Sequence, residues 1–504
     1  MPQQKTPGVY IFEKDAFPNS VVEVPTGIPV FVGYTKKAAR GTQSLDKHPT
    51  RISSLAEYEA LFGGAPTLQY TFAMEDNVPT ISPVATSQFN LYNGLRLYFN
   101  NGGGPCWIVS VGSYGTADTP TTKSPDDFGD EVWAALKKEK EPTMVVIPDA
   151  VLMSGKDDYK AIWDKAFPHC IAMQNRVAVL DVFNGDQKRT FDETDDIISG
   201  TNGFRTLISY EDMSFGAAYY PWVNTNIYAS TDASYLNIAK DNLSALSNYI
   251  KGEFANPEND PAKARQLKGV DDYLTQMTGE ETDPAKILKT HQALAAISQN
   301  YQTVMVAVLK QMNLMPPAAA MAGVYARTDA AIGVFKAPAN TPVVSVISPA
   351  VAISDEEQED LNVPLDGVAI NAIRTFIGRG VLVWGARTLD GNSQDWRYVN
   401  VRRTMIMLEQ SIAIAAEAYV FEPNDAGTWT TVRTMIGNFL NNQWKAGALA
   451  GATPAEAYSV DVGLGSTMTG NDILDGYMRV TVKVAVTRPA EFIVITFQQK
   501  MQTS

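Results

Sequence analysis

The sequence predicts a multidomain protein of the α/β class, a mixed α and β architecture with extended β segments at both chain ends. From about residue 88, apolar runs typical of strands alternate with helical patterns. The runs are almost continuously apolar, as in strands that are covered on both faces of a sheet. The 504 residues, 45% of them hydrophobic, suffice for two to four domains. Both chain ends are β-rich.

The first 30 or so residues contain short β-rich runs separated by proline and glycine, which predicts an extended arm that leads into a first strand. A short helix follows in SSLAEYEALFGG. Ser54 and Glu57 have the spacing of a capping box, and Gly63 is placed to end the helix. We therefore expect a well-defined short helix after the first strand.

The middle of the chain gives the alternating pattern. The predicted helices lie in FNLYNGLRLYF, DEVWAALKKEK and KAIWDKAF, and the predicted strands lie in CWIVSVG, TMVVIPD and NRVAVLDV. Asp283 and Pro284 then cap and open a long helix. Its helical spacing is carried by Ile287, Leu294, Ile297, Tyr301, Val304 and Val308.

The last third begins with an acidic helix start, SDEEQEDL, and a strand, GVLVWGARTL. Two long helices follow in RYVNVRRTMIMLEQSIAIAAEAYVF and WTTVRTMIGNFLNNQWKAGAL, and two strands close the chain in GYMRVTVKVAV and EFIVITF. An unpaired apolar strand invites association. The terminal strands either pair inside their own subunit or add to a sheet of a neighbouring subunit, and the sequence alone leaves both open.

The charge and the cysteine content exclude several classes of protein. A net charge of -14 and a pI near 4.8 disfavour direct binding to nucleic acid or to an anionic membrane. The first ten residues carry no secretion signal, and the longest apolar stretch, 315–326, is too short to insert in a membrane and contains two prolines. Cys106 and Cys170 form no disulfide framework, so we expect assembly in a reducing cytoplasm.

Motifs for chemistry are weak. The segment NNGGGPCW at 100–107 has the glycines of a phosphate loop, but a strand follows it and no lysine is present, so a helix end with a tight turn is the better interpretation. His48, His169 and His291 are far apart, and the neighbouring pair His169 and Cys170 points in different directions in regular structure. The sequence therefore predicts no catalytic, cofactor-binding or metal-binding residues and no cofactor.

One segment contrasts in charge with the acidic chain. Between Asn371 and Arg403, two aspartates, Asp390 and Asp395, oppose six arginines, which are Arg374, Arg379, Arg387, Arg397, Arg402 and Arg403. These arginines are either scattered over the surface or form a docking face for an acidic partner.

Ten segments, taken together and in order, resemble contractile tail sheath proteins, the subunits of the outer cylinder in contractile phage tails, R-type pyocins and extracellular contractile injection systems. They are TPGVYIFE, VPTGIPVFVGYT, SSLAEYEALFGG, AAYYPWV, GVYARTDAAIGVFKAPAN, INAIR, VLVWGARTL, WRYVNVRR, FEPND and RPAEFIVI. The chain departs from the family at 331–335, where many relatives have a basic or bulky residue, and at about 230–300, where it is longer.

The resemblance implies a domain plan. Residues 1–22 and 485–504 would be β arms, 23–329 outer domains with an insertion at 230–300, and 330–484 an inner domain facing a tube. The inner domain would be built from both chain ends, with the outer domains inserted. The arms would complete a four-stranded sheet with neighbouring subunits. Their interface residues would be Val9, Tyr10, Ile11, Phe12, Phe492, Ile493, Val494 and Ile495.

The same resemblance implies a structural subunit that polymerises helically and contracts, not an enzyme. Its partners would be many copies of itself, an inner tube protein, and baseplate and terminal cap proteins. Arg397, Arg402 and Arg403 would face carboxylates of the tube, since arginine binds carboxylates in a bidentate manner. A non-contractile shell or cap protein and an α/β enzyme are the alternatives. A phage tail, a released particle and an envelope-anchored particle all remain open as its final location.

Overall fold

The computed structural model of the chain describes residues 20–76, 78–116, 119–254, 261–279 and 283–495. The chain divides into two compact units. The larger unit is Pro25–Arg403, and the smaller unit combines the segment up to Val24 with the segment from Thr404. The predicted interface residues Val9, Tyr10, Ile11 and Phe12 lie outside the described residues.

The strands are β1 Pro29–Thr35, β2 Ala39–Arg40, β3 Gln43–Ser44, β4 Thr50–Ile52, β5 Tyr70–Glu75, β6 Val78–Pro83, β7 Cys106–Ser113, β8 Met144–Val146, β9 Val177–Asp181, β10 Gly216–Tyr220, β11 Val223–Thr225, β12 Leu314–Met315, β13 Thr341–Pro342, β14 Val346–Pro349, β15 Asn371–Phe376, β16 Gly380–Val383, β17 Tyr458–Val462 and β18 Val480–Val484.

The helices are α1 Leu55–Phe62, α2 Leu91–Asn100, α3 Asp130–Leu136, α4 Lys156–Met173, α5 Phe204–Leu207, α6 Leu243–Glu253, α7 Pro261–Thr278, α8 Pro284–Ile297, α9 Gln299–Met312, α10 Ala318–Ala331, α11 Asp355–Asn362, α12 Val399–Ala416, α13 Ala426–Ala446, α14 Pro454–Ala457 and α15 Gly470–Leu474. In the described part of the chain, none of the helices combines the length and the apolar character that a membrane crossing requires.

A nine-stranded sheet organises the larger unit. Its order is β13-β16-β15-β10-β9-β8-β1-β7-β4. The six strands from β15 to β7 are parallel, and antiparallel strands flank them at both sides. Every residue of β1, β8, β9 and β10 is buried, so other elements cover both faces of the sheet there. The α/β prediction is confirmed.

Local sequence signals fix several element ends. The Ser54 hydroxyl accepts a hydrogen bond from the Glu57 amide at 3.2 Å, as the capping box predicts. The Glu57 carboxylate, however, accepts from the amide of Ser53 at 2.8 Å instead of from Ser54. Gly63 has φ +84°, which ends α1. The helix end predicted in NNGGGPCW is also confirmed, because α2 stops at Asn100 and Gly102 has φ +92°.

A second apolar core lies in the larger unit, where the β5–β6 hairpin packs with α6, α7, α8 and α9. Its fully buried members include Tyr70, Phe72, Leu246, Ile250, Leu274, Leu294, Tyr301, Val304 and Val308. All of them come from the segments 68–72 and 233–312. These two segments therefore form a body, mainly helical, with its own apolar core; this body is called the helical body below.

The single long helix predicted from Pro284 was wrong, because the chain divides at Ser298 into α8 and α9. Ser298 has φ -111° and ψ 119°, and its hydroxyl accepts a hydrogen bond from the Tyr301 amide at 3.1 Å. The same hydroxyl donates to the Glu253 carboxylate at 2.7 Å. A serine in this conformation begins a new helix, although the apolar spacing runs through it.

The predicted domain boundaries stay a prediction. The nine-stranded sheet takes six strands from the range 23–329, which are β1, β4, β7, β8, β9 and β10, and three strands from the range 330–484, which are β13, β15 and β16. Helix α10 continues from Ala318 to Ala331, through the predicted boundary.

The smaller unit is built from both ends of the described chain. The Val24 amide donates to the Ser411 hydroxyl at 3.0 Å, and the Gln443 side-chain amide donates to the Glu23 carboxylate at 2.9 Å. These bonds hold the segment 20–24 against α12 and α13 within the same unit. Among the described residues of this unit, β17 and β18 form a two-stranded antiparallel sheet.

His169 and Arg176 form a buried polar cluster in the larger unit. An Arg176 Nη1 hydrogen faces His169 Nε2 at 3.2 Å, and the guanidinium also donates to the Asn175 side chain and to the carbonyl oxygens of Leu136 and Glu139. The guanidinium thus caps the end of α3. Burial first, and then the charges of Arg176 and Lys137, lower the pKa of His169 to about 4.

We predict that His169 makes the fold sensitive to mild acid. Because the folded pKa is lowered, the unfolded chain binds a proton between about pH 6.5 and pH 4 that the folded chain does not, so stability falls as the pH falls through this range. In His169→Gln, a side-chain oxygen still accepts from Arg176. Between pH 7 and pH 4, we expect the free energy of unfolding of this variant, measured with urea, to fall by about 1–3 kcal/mol less than that of the wild type. Parallel loss in both proteins would contradict the assignment.

Candidate subunit interfaces

The end of the described chain is an exposed apolar segment. Residues 491–495 form no strand, although the sequence predicts one in EFIVITF. The side chains of Phe492, Ile493, Val494 and Ile495 are 70%, 78%, 88% and 70% exposed. Four consecutive exposed apolar residues are unusual on the surface of a folded unit. A strand needs a partner strand, and among the described strands none pairs with residues 492–495.

The β17–β18 pair has two open edges. Five residues of each strand pair in register, from Tyr458 with Val484 to Val462 with Val480. The described part of the chain places no third strand beside either of them. Each outer edge therefore presents backbone N–H and C=O groups that another strand can bind.

The edges of the nine-stranded sheet are less suited to binding another strand than those of the β17–β18 pair. The edge strand β13 has two residues, one of which is Pro342, and the edge strand β4 has three. Arg51 in β4 pairs with Glu141 at 2.9 Å. Short strands, proline and charged side chains all hinder the addition of a further strand. The open edges of β17–β18 are thus the better site for strand addition.

Arg402 and Arg403, which are predicted to face the tube, are buried within the larger unit. The Arg402 guanidinium lies 3.7 Å from the ring centre of Phe215 and 4.5 Å from that of Trp396. Arg403 pairs with the buried Asp329, with Nη1 3.0 Å from Oδ1, and donates to the Thr26 carbonyl oxygen at 2.9 Å. Both guanidinium groups are therefore engaged inside their own chain, and the tube-facing role stays a prediction.

The other arginines of the basic segment also divide into buried and exposed groups. Arg387 is buried and donates to the Gly391 carbonyl oxygen at 2.9 Å, and Arg374 pairs with Asp355 at 2.8 Å. Arg397 is partly exposed, and its Nε donates to the Ser393 carbonyl oxygen at 2.8 Å. Arg379 is exposed. The charge of the segment is thus presented mainly by Arg379 and Arg397.

Sequence reasoning missed the partners of the buried arginines. Asp329 is 74 residues from Arg403, and Phe215 is still further from Arg402. A basic run gives no indication of such distant partners. The apolar residues beside Arg402 and Arg403 in α12, such as Val401, were the available signal, since they indicate a buried helix face.

The geometry around His169 and Cys170 supports no nucleophilic pair. The His169 ring faces Arg176, and burial raises the pKa of the Cys170 thiol to about 12, so the thiol is protonated at neutral pH. Within the described ranges, no three residues among the histidines, cysteines, aspartates and glutamates lie together as a metal site would require. The interfaces are therefore the features that point to function.

Sequence comparisons place part of the chain in one family. Residues 392–500 match the phage tail sheath C-terminal domain. The tail sheath protein of Salmonella phage ViI is 28% identical over 149 residues, which are 28% of this chain and 22% of that protein. The tail sheath protein of enterobacteria phage T4 is 28% identical over 138 residues, 27% of this chain and 20% of that protein. These matches span about a fifth of the relatives' length.

Structural comparisons cover nearly the whole chain. The sheath complex of the extracellular contractile injection system PVC, in its contracted state, is 27% identical and aligns over 99% of both chains with a TM-score of 0.60. The helical sheath of the anti-feeding prophage, also contracted, is 28% identical and aligns over 99% of this chain and all of that chain, with a TM-score of 0.60. The chain therefore belongs to the contractile tail sheath protein family, a family of structural proteins that includes the sheaths of phage tails and of extracellular contractile injection systems.

Proposed function

We propose that this chain is the repeating subunit of a contractile sheath, which polymerises helically around an inner tube and contracts to drive the tube through a target envelope. The single observation that carries the proposal is the full-length likeness to two contracted sheath structures at 27% and 28% identity. The open β17–β18 edges and the exposed apolar C-terminal segment support it, because both need a strand partner that the described residues of one chain do not supply.

Strand donation is the proposed contact between subunits. Phe492, Ile493, Val494 and Ile495 of one copy would add to one edge of the β17–β18 pair of another copy, and Val9–Phe12 of a further copy would add to the other edge. Two resident strands and two donated strands make a four-stranded sheet. A donated strand forms a head-to-tail contact, which generates a helical polymer when it does not close into a ring.

Contraction would be a change between two sets of contacts among rigid bodies, while strand pairing survives. The extended lattice would be held by docking to the tube, and baseplate and cap proteins would bind the ends. A free-energy difference of a few kcal/mol per subunit, within the usual range for such transitions, becomes a large driving force over many copies. Assembly would occur in the cytoplasm, and either a phage tail or an injection particle would be the final location.

For the tube contact, Arg397 is the most accessible of the three arginines assigned from the sequence. Its partial exposure leaves donors for a carboxylate on the tube surface, whereas the buried Arg402 and Arg403 would first have to leave their own aromatic and acidic partners. We therefore assign direct contact to Arg397 and a supporting structural role to Arg402 and Arg403.

Electron microscopy of the purified chain tests the proposed function. We expect hollow cylinders that occur in two diameters, one when assembled with the tube protein and one after its release. Cylinders of one fixed diameter under all conditions would favour a static shell. Small monodisperse particles would contradict polymerisation, and hydrolysis of nucleotides or esters by the pure protein would favour an enzyme.

A proline in the C-terminal segment tests strand donation. Ile493→Pro removes a backbone N–H donor and fixes φ, so we expect it to abolish cylinders, while Ile493→Ala keeps the backbone donor and weakens assembly less. Circular dichroism and thermal unfolding should match the wild type in both variants, because the segment is exposed. Cylinders of normal length from Ile493→Pro would refute donation by this segment.

Charge reversal at Arg397 tests the tube contact. We expect Arg397→Glu to fold and to self-assemble, but to co-sediment with the tube protein at least about tenfold more weakly, since a repulsive pair replaces a charged hydrogen bond. Normal binding of the tube by this variant would exclude the contact.

Arg403→Glu, compared with Arg397→Glu, tests whether Arg403 has a structural role instead of a direct contact with the tube. It places a second carboxylate beside the buried Asp329, so we expect a loss of about 3–5 kcal/mol in unfolding free energy before any effect on the tube is measured. Wild-type stability in urea unfolding would show that the buried pair is not required for the fold.

A further inference from the structure

A rigid hairpin in the larger unit presents a fully exposed isoleucine. Strands β15 and β16 pair from Ile373 with Val383 to Phe376 with Gly380, and Ile377 stands at the tip. The tip glycines have φ +73° at Gly378 and +78° at Gly380, which this tight connection requires. The exposure of Ile377 equals that of a residue in an open chain, at 104%.

An aromatic and cationic cluster supports this tip. The rings of Phe376 and Trp384 lie 4.4 Å apart, centre to centre. The guanidinium of Arg379 lies 5.8 Å from the Trp384 ring centre, and that of Arg374 lies 5.7 Å from the Phe376 ring centre. The cluster holds the hairpin in one conformation, so little conformational entropy is lost when the tip binds. Ile377 and Arg379 thus form an apolar and basic tip.

A turn near the opposite end of β15 presents apolar and acidic side chains, which complement the apolar and basic tip. Helix α11 runs beside β15. At the start of the helix, Asp355 pairs with Arg374 of β15. At the end of the helix, the Leu361 carbonyl oxygen accepts a hydrogen bond from the Ile370 amide at 2.9 Å, just before β15 begins. The turn at 363–366 follows that end of the helix. Leu365 is 103% exposed and Val363 is 52% exposed. The Glu359 side chain is also exposed, and the Asp366 side chain is 48% exposed, with its carboxylate 3.6 Å from the Arg205 guanidinium. This turn is apolar and acidic.

We propose that the hairpin tip at Ile377 and Arg379 of one copy docks against the turn 363–366 of a neighbouring copy, an inference that rests on the proposed function. The two surfaces match in both respects, since an apolar side chain with a cation meets apolar side chains with carboxylates. Tip and turn lie at opposite ends of β15, so the contact is head-to-tail, as an open helical lattice needs. A second copy of this chain is the partner of matching chemistry.

Cysteine cross-linking tests the contact directly. Six residues of β15 separate tip from turn by about 20 Å, at about 3.3 Å per residue, which is too far for a disulfide inside one chain. The native Cys106 and Cys170 are buried, so they contribute little background. We expect Ile377→Cys with Leu365→Cys, assembled into cylinders and treated with diamide, to give a ladder of covalent multimers on denaturing gels.

Matched controls separate this contact from random collision. Each single variant should stay largely monomeric on the gel, as should Ile377→Cys combined with Val306→Cys, because Val306 is exposed on α9 in the helical body. Cylinders of the double variant that give no ladder would overturn the proposal while leaving the proposed function intact. Failure of the wild type to form cylinders would instead count against the proposed function.

Serine variants provide an independent measurement that does not depend on disulfide geometry. We expect Ile377→Ser and Leu365→Ser to fold normally, since both side chains are fully exposed, and to raise the protein concentration needed for cylinders by about tenfold each. Val306→Ser should leave that concentration unchanged. Assembly of both variants at the wild-type concentration would overturn the proposal.

Discussion

The constraint on which the structure depends is that backbone N–H and C=O groups must find partners. In the larger unit, a nine-stranded sheet satisfies most of them and ends in short edges guarded by Pro342 and Arg51. In the smaller unit, β17 and β18 pair as strands only with each other within the described chain, and the apolar segment 492–495 is exposed. The larger unit thus ends its sheet in protected edges, whereas the smaller unit leaves strand edges open within the described residues.

The arginines between Asn371 and Arg403 are likewise divided into those with partners inside the chain and those at the surface. The arginines of the basic segment mostly turn inward, where Arg402 stacks between Phe215 and Trp396 and Arg403 pairs with Asp329. A buried guanidinium without such partners would cost several kcal/mol, so these contacts fix the start of α12 firmly within the larger unit. Within this segment, Arg379 and Arg397 present most of the positive charge that remains at the surface.

The sequence predicted the elements well where a local signal decided them. Ser54 and Gly63 fixed the ends of α1, and the continuous apolar runs of β8 and β9 predicted a sheet covered on both faces. Prediction failed where local and longer-range patterns disagreed, as at Ser298, where a cap interrupts an apolar stripe. It also could not show that Arg402 and Arg403 are buried, because their partners are distant in sequence and burial depends on the tertiary fold.

The helical body formed by the β5–β6 hairpin and α6 to α9 closes its core on its own residues. Substitutions that repack this core leave the ladder of the nine-stranded sheet unchanged, since the two share no strand. Selection on this body is thereby uncoupled from selection on the strands of the nine-stranded sheet. This separate core makes the body a place where new sequences can be grafted without redesigning the nine-stranded sheet.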